Sequence, residues 1–213
     1  MSSRLILLRH GNTFSDGDKV VMVGANEDLP LTAKGLEQAT AMGEALRPVA
    51  KNVTALLAGP LLRTVQFAHR LQSVSGILAD CTVDPRLIEL DYGAWGGLSN
   101  EEIITLSGQE ALENWQIHGK RPSGIVFKPS EKQLAEETAS VLDEFSQVQD
   151  TGIIVSSNGR LREYARLIEG EDSSGAKVKT GHACIVDFSD EAWQIVAWDV
   201  APDALHAVLS EER

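Results

Sequence analysis

Three short segments hold residues that could do chemistry together: Arg9-His10-Gly11-Asn12-Thr13, Gly59-Pro60-Leu61-Leu62-Arg63 and Ser156-Ser157-Asn158-Gly159. Each follows a short apolar run, and in open α/β sheets the ligand site lies beyond the carboxyl ends of the strands. Phosphoryl transfer asks for a nucleophile, for cationic or N–H donors to the equatorial oxygens, and for a proton donor to the leaving alkoxide. Arg9 and Arg63 carry forked donors that match phosphate geometry. His10 can attack through a ring nitrogen when neutral, which its unperturbed pKa allows near pH 7. A carboxylic acid such as Glu89 can give the proton. No lysine-bearing phosphate loop is present in the sequence, and the pattern requires neither a metal nor a cofactor.

Strands and helices in alternation must bring these segments together. Residues 4–8 read as a strand ending at Arg9-His10-Gly11, and 12–28 as a long loop. Thr32 is placed to cap a helix running to Arg47, with Leu36, Ala39, Gly43 and Leu46 at helical spacing, and Pro48 stops or kinks it. Residues 53–58 read as a second strand, 61–72 as a helix and 82–83 as a short third strand. The stretch 91–130, rich in Gly, Trp and polar residues, has a weak helix at 100–106 and reads as an insertion covering one end of the sheet. A helix at 131–147 precedes a buried strand at 152–156 and a helix at 160–168. Residues 183–188 and 193–198 read as a hairpin turning at Ser189-Asp190-Glu191. The expectation is one α/β domain over residues 1–213. It has three layers: a mostly parallel central sheet flanked by helices, with an antiparallel edge hairpin.

The segments also carry a resemblance. Leu5-Ile6-Leu7-Leu8-Arg9-His10-Gly11-Asn12-Thr13 is similar to the signature of the histidine phosphatase (phosphoglycerate-mutase-like) superfamily, in which Arg-His-Gly ends the first strand. Asp28-Leu29-Pro30-Leu31-Thr32 with Gly35 and Gln38-Ala39 resembles the family's next block. Gly59-Pro60-Leu61-Leu62-Arg63 resembles its Ser-Pro-Leu-x-Arg block, and residues 87–95 the block carrying its general acid. The resemblance implies a phosphoglycerate-mutase-like fold and a set of roles. His10 would form a phosphohistidine, and Arg9 and Arg63 would bind phosphoryl oxygens. Glu89 would protonate the leaving group and then activate water. Asn12 and Thr13 would line the entrance.

One block departs from the family. The pattern Ser-His-Gly-Gly, whose histidine helps hold the phosphoryl group, is replaced by Ser156-Ser157-Asn158-Gly159. Ser157 stands in the histidine's slot, where it can donate one hydrogen bond but carries no charge. His182 either lends a surrogate imidazole to the phosphate or is structural. Arg160 and Arg162 either restore charge or occupy surface positions of a helix. The resemblance thus implies a phosphomonoester hydrolase acting through His10. A weak pseudophosphatase that binds a phosphorylated ligand is the alternative. A phosphoglycerate mutase, which must guard its phosphoenzyme against water, is less favoured.

Composition narrows the partners. The chain has 213 residues and a formal net charge of −12. An acidic surface argues against nonspecific nucleic-acid binding and docking on anionic lipid, yet permits a locally positive pocket for a small phosphorylated substrate. Cys81 and Cys184 imply no disulfide framework. The apolar run near the N-terminus is too short to span a membrane, and a cytoplasmic protein is expected. The sequence fixes neither the physiological substrate nor an oligomeric state.

Overall fold

The computed structural model describes residues 3–148, 150–170 and 177–210. Strand β1 (Ser3–Arg9) lies inside the sheet, and its side chains alternate between two cores. Ile6 and Leu8 face one side, Leu5 and Leu7 the other, and all four are fully buried. An unbroken apolar run is what a strand covered on both faces demands. With β2 (Val53–Ala58), β3 (Cys81–Val83), β4 (Thr151–Ser156), β5 (Ala183–Ser189) and β6 (Ala192–Val200) it forms a six-stranded sheet in the order β3-β2-β4-β1-β5-β6. The first four of these are parallel neighbours, while β5 runs antiparallel to both β1 and β6. Asp190 and Glu191 turn the expected hairpin with φ of 51° and 64°, the hand that a two-residue turn between twisted strands needs.

Helix α1 (Ala33–Leu46) starts at the expected cap, where the Thr32 hydroxyl accepts the Gly35 N–H, and continues through Pro48 as a tighter 3-10 stretch. α2 (Leu62–Ser75) ends at the left-handed Gly76. The 91–130 stretch contains α3 (Asn100–Ser107) and also α4 (Gln109–His118), which the sequence reading did not anticipate. α4 buries only Leu112 and Trp115, too sparse a stripe to mark a helix by periodicity. α5 (Glu131–Ser146) and α6 (Asn158–Glu169) follow, and α7 (Pro202–Ser210), also unanticipated, buries only Leu205. No helix among the described residues is long and apolar enough to cross a membrane.

Three cores result. One packs Met42, Leu46, Phe67, Leu71 and Leu205 against the Ile6/Leu8 face of the sheet. Another packs Val141, Phe145, Leu161 and Tyr164 against the Leu5/Leu7 face. The third is aromatic: Tyr92, Trp95, Trp115 and Phe127 meet edge to face, with centroids 5.1 to 5.6 Å apart. β2, β4 and β1 are adjacent and parallel, so the segments after Ala58, Ser156 and Arg9 emerge at one edge.

Candidate active site

His10 is the first residue beyond β1. Its Nδ1 lies 2.7 Å from the Gly11 carbonyl oxygen, which can only accept, so Nδ1 carries the proton and the neutral ring's lone pair sits on Nε2. Burial holds this imidazole well below its ordinary value, and the charges of Arg9 and Arg63 push the same way. The ring is therefore neutral, with a lone pair free on Nε2. The turn that aims it is tight: a β-carbon on Gly11 would lie 2.5 Å from the Gly35 oxygen. The start of α1 thus packs directly on the His10 turn, and Asn12 N–H donates to Gln38 Oε1 at 2.8 Å.

Arg63, in the first turn of α2, is fully buried. Its Nη1 donates to the Glu27 carbonyl at 2.9 Å and its Nη2 to Gly24 at 3.1 Å, which pins the long loop before α1 against the site. Arg9 Nη1 donates to the Val178 carbonyl, while its buried Nε has no partner among the described residues. Burial lowers both guanidiniums below their usual range, and the Glu89 carboxylate opposes this at each. Glu89 is itself held by the Leu90 N–H at 2.8 Å, by the Gly159 N–H at 3.3 Å and by the Tyr92 hydroxyl. Burial raises the Tyr92 phenol far above its ordinary value, so it keeps its proton to donate.

These groups open on one cavity of about 840 Å³, lined by Arg9, His10, Asn12, Thr13, Arg63 and Glu89 together with Tyr92, Trp115, Asn158, Arg162 and Lys177. Residues from three strand ends thus converge as the sequence led one to expect. Two expected phosphate ligands do not line it. The Ser157 hydroxyl is buried and has no hydrogen-bond partner among the described residues; Asn158, the next residue, faces the cavity instead. His182 is turned to β6, with Nδ1 at 3.1 Å from the Asp199 carbonyl oxygen and 3.0 Å from its carboxylate. It closes the open end of the hairpin, where Asp199 adopts a left-handed conformation.

Arg160 and Arg162 are not surface residues: 0% and 7% of their areas are exposed. They point opposite ways. Arg160 bonds Glu137 of α5 at 2.9 Å and the Ile88 carbonyl at 3.1 Å, away from the cavity. Arg162 lines the cavity, stacks over Trp115 with its Cζ 5.2 Å from the ring centroid, and donates to the Trp115 and Gln116 carbonyls. The signal for it depends on α6 starting at Asn158, two residues before its apolar pattern. Residues four apart share a helix face, so Asn158 and Arg162 belong together while Arg160 does not. Lys177 adds a further cation to the lining, its ammonium lowered by burial and by Arg9 and Arg162.

Among the described residues no cluster of three His, Cys, Asp or Glu side chains is placed to hold a metal ion. The cavity is lined by guanidinium, ammonium and amide donors, which suit a phosphoryl anion, and also by the carboxyl groups of Asp16, Glu89 and Glu101.

A sequence profile of the histidine phosphatase superfamily (branch 1) matches residues 5–201. Among curated proteins, probable phosphoglycerate mutase GpmB of Citrobacter koseri is 31% identical over 147 residues, which are 66% of this chain and 63% of that protein. The chain thus spans a little under two thirds of the length of this relative. Among solved structures, a mycobacterial glucosyl-3-phosphoglycerate phosphatase has a TM-score of 0.75 at 22% identity, covering 93% of this chain and 99% of its own. The α-ribazole phosphatase from Shigella flexneri has a TM-score of 0.72 at 24% identity, covering 92% and 96%. At these identities the structural likeness establishes the fold, a three-layer α/β architecture.

Proposed function

The chain belongs to the histidine phosphatase superfamily, and from that premise we propose that it hydrolyses a small phosphomonoester through a phosphohistidine on His10. One observation carries the reading. His10 is neutral, with its lone pair on Nε2, and lines a cavity that Arg9, Arg63 and Glu89 also line.

Nε2 of His10 attacks phosphorus, and the bond to the leaving oxygen breaks as Glu89 gives that oxygen its proton. Arg9 and Arg63 take the charge on the equatorial oxygens. Glu89, now a carboxylate, takes a proton from water, whose oxygen attacks the phosphohistidine. Inorganic phosphate leaves and the ring regains its lone pair. Ser157 stands where the family has its second histidine, so the site works with one cationic donor fewer.

The test is turnover of p-nitrophenyl phosphate together with acid-labile phosphate on the protein. Both are expected in the wild type and neither in His10→Ala. Phosphate binding without turnover would identify a pseudophosphatase. The name carried by the curated relative favours a second reading, transfer between hydroxyls of a phosphoglycerate. That activity would appear as transfer to an acceptor alcohol in excess of phosphate release.

A further inference from the structure

Two side-chain amides line the cavity, and a backbone N–H imposes the orientation of one of them. Asn12 Oδ1 accepts the Thr180 hydroxyl, whose oxygen in turn accepts Gln38 Nε2 at 3.2 Å. Asn158 Oδ1 accepts the Val178 backbone N–H at 2.9 Å. The Val178 N–H can only donate, so the oxygen of Asn158 must be the amide atom that faces it, and the amino group points the other way. Among the described residues neither Nδ2 has a protein acceptor, and both asparagines line the cavity.

Asn158 is bracketed by the groups of the reaction. Ser156, two residues before it, accepts the His10 N–H at 3.0 Å. Gly159, the residue after it, donates to Glu89 Oε2 at 3.3 Å. Val178, which it holds, accepts from Arg9. Asn158 therefore sits among nucleophile, acid and arginine and lines the cavity they share, with its amino group turned away from Val178. The Ser157 hydroxyl, one residue away, is shut inside the protein.

We propose that Asn158, and not Ser157, supplies the hydrogen-bond donor to the transferring phosphoryl group at the place of the second histidine. This rests on the phosphatase reading above. A neutral N–H donor keeps the directed contact to an equatorial oxygen, while Arg9, Arg63, Arg162 and Lys177 supply the positive field around it. The departure Asn158 thus belongs with the departure Ser157: a glycine at position 158 would leave this contact unmade.

Asn158→Asp separates this role from a structural one, because it keeps the oxygen that receives the Val178 N–H and replaces the donor with a repelling oxygen. The experiment measures the Kd of inorganic phosphate by calorimetry and kcat/KM for p-nitrophenyl phosphate. The proteins are wild type, Asn158→Asp, Asn158→Ala and Ser157→Ala. Asn158→Asp is expected to lose on the order of 100-fold in both, more than Asn158→Ala, with partial recovery of phosphate binding as the introduced carboxyl protonates at low pH. Ser157→Ala is expected to stay within about twofold of wild type, since its hydroxyl is buried and does not line the cavity. Wild-type behaviour of Asn158→Asp, with loss only in Asn158→Ala, would reduce the residue to a tether for Val178 and overturn the proposal. So would a Ser157→Ala loss as large as that of Asn158→Asp. If wild type binds phosphate without turning over substrate, the phosphatase reading falls and the Kd comparison still decides the role of Asn158. If it binds no phosphate, both fall.

Discussion

The Glu89 carboxylate rests against the α-carbon of Gly159: a β-carbon there would lie 2.4 Å from Oε1 and 2.9 Å from the Tyr92 hydroxyl. The Glu89 carboxyl group is therefore positioned by the first turn of a helix that follows a different strand. Gly159→Ala must displace Glu89 or the start of α6. Alanine is otherwise the better helix former by about 1 kcal/mol, so the helix itself gains. Shifting a reacting group by about 1 Å costs roughly 10²-fold. The expected outcome is a fall of about that size in kcat/KM with an unchanged circular dichroism spectrum. Wild-type activity in Gly159→Ala would show that Glu89 is not needed where it lies.

Arg63→Ala should cost far more than Ser157→Ala. Arg63 is buried, and its removal leaves the Glu27 and Gly24 carbonyls unpaired and deletes a charge from the cavity lining. Losing one charge-stabilising donor of this kind costs about 3 kcal/mol in the transition state, or a factor of a hundred or more in rate. Among the described residues the Ser157 hydroxyl has no partner to lose. Its deletion should leave kcat/KM within about twofold and leave folding stability equal or higher by up to about 1 kcal/mol. Steady-state kinetics and urea unfolding of the two variants check both halves, and equal losses would contradict them.

Much of this was legible before the structure. β1 is an unbroken apolar run because it is covered on both faces, and Thr32 marks the start of α1 because a hydroxyl there can satisfy a free helix N–H. The convergence of His10, Arg63 and Glu89 follows from strand ends that must share an edge. The cavity-lining residue after β4 was not legible at single-residue resolution. Which of Ser157 and Asn158 lines the cavity depends on where the strand stops, and α6 begins at Asn158, two residues earlier than its apolar pattern suggests. His182 follows the same logic: Asp199, seventeen positions on, claims its ring from the neighbouring strand. Arg162 looked like a surface residue because what buries it, Trp115 of α4, comes from a helix with too thin an apolar stripe to be seen.

His10 should make stability fall on acidification. Its folded-state value lies well below the 6.5 of the unfolded chain. Below that value the unfolded chain therefore binds a proton that the folded protein refuses. The unfolded state holds more protons there, so stability drops as pH falls through 6.5 and keeps dropping until the folded value is reached. This group contributes up to about 1.4 kcal/mol per pH unit within that window and nothing above it. Urea unfolding of wild type and His10→Gln at about pH 7.5, 6.5 and 5.5 should show a steeper acid loss in wild type. Nuclear magnetic resonance of the ring should show a proton on Nδ1 and no titration near 6.5. A midpoint at that value would remove the basis for a neutral buried nucleophile.

Arg162 joins the cavity to the aromatic core, and Arg162→Met separates the two jobs it holds. The side chain crosses from α6 to the end of α4, where its two Nη groups donate to the Trp115 and Gln116 carbonyls and its plane covers the indole. Methionine fills similar space and preserves much of the packing, but it removes the charged donor to both carbonyls, of which Trp115 keeps the Gly119 N–H at 3.0 Å, and takes a cation from the cavity lining. Unpairing buried acceptors from a charged donor costs about 1–3 kcal/mol, and the loss is local to α4. The expected result is a drop in urea stability of that order, with faster amide exchange concentrated in residues 109–118 and little change in β1 or β4. Phosphate affinity should fall along with it, because Arg162 and Lys177 both add to the field at Arg9. Arg162→Lys keeps the charge without the fork. It should therefore retain phosphate affinity better than Arg162→Met while showing the same exchange in α4. If Arg162→Lys and Arg162→Met bind phosphate equally, Arg162 serves α4 alone, and the charge missing from Ser157 is not made up from α6.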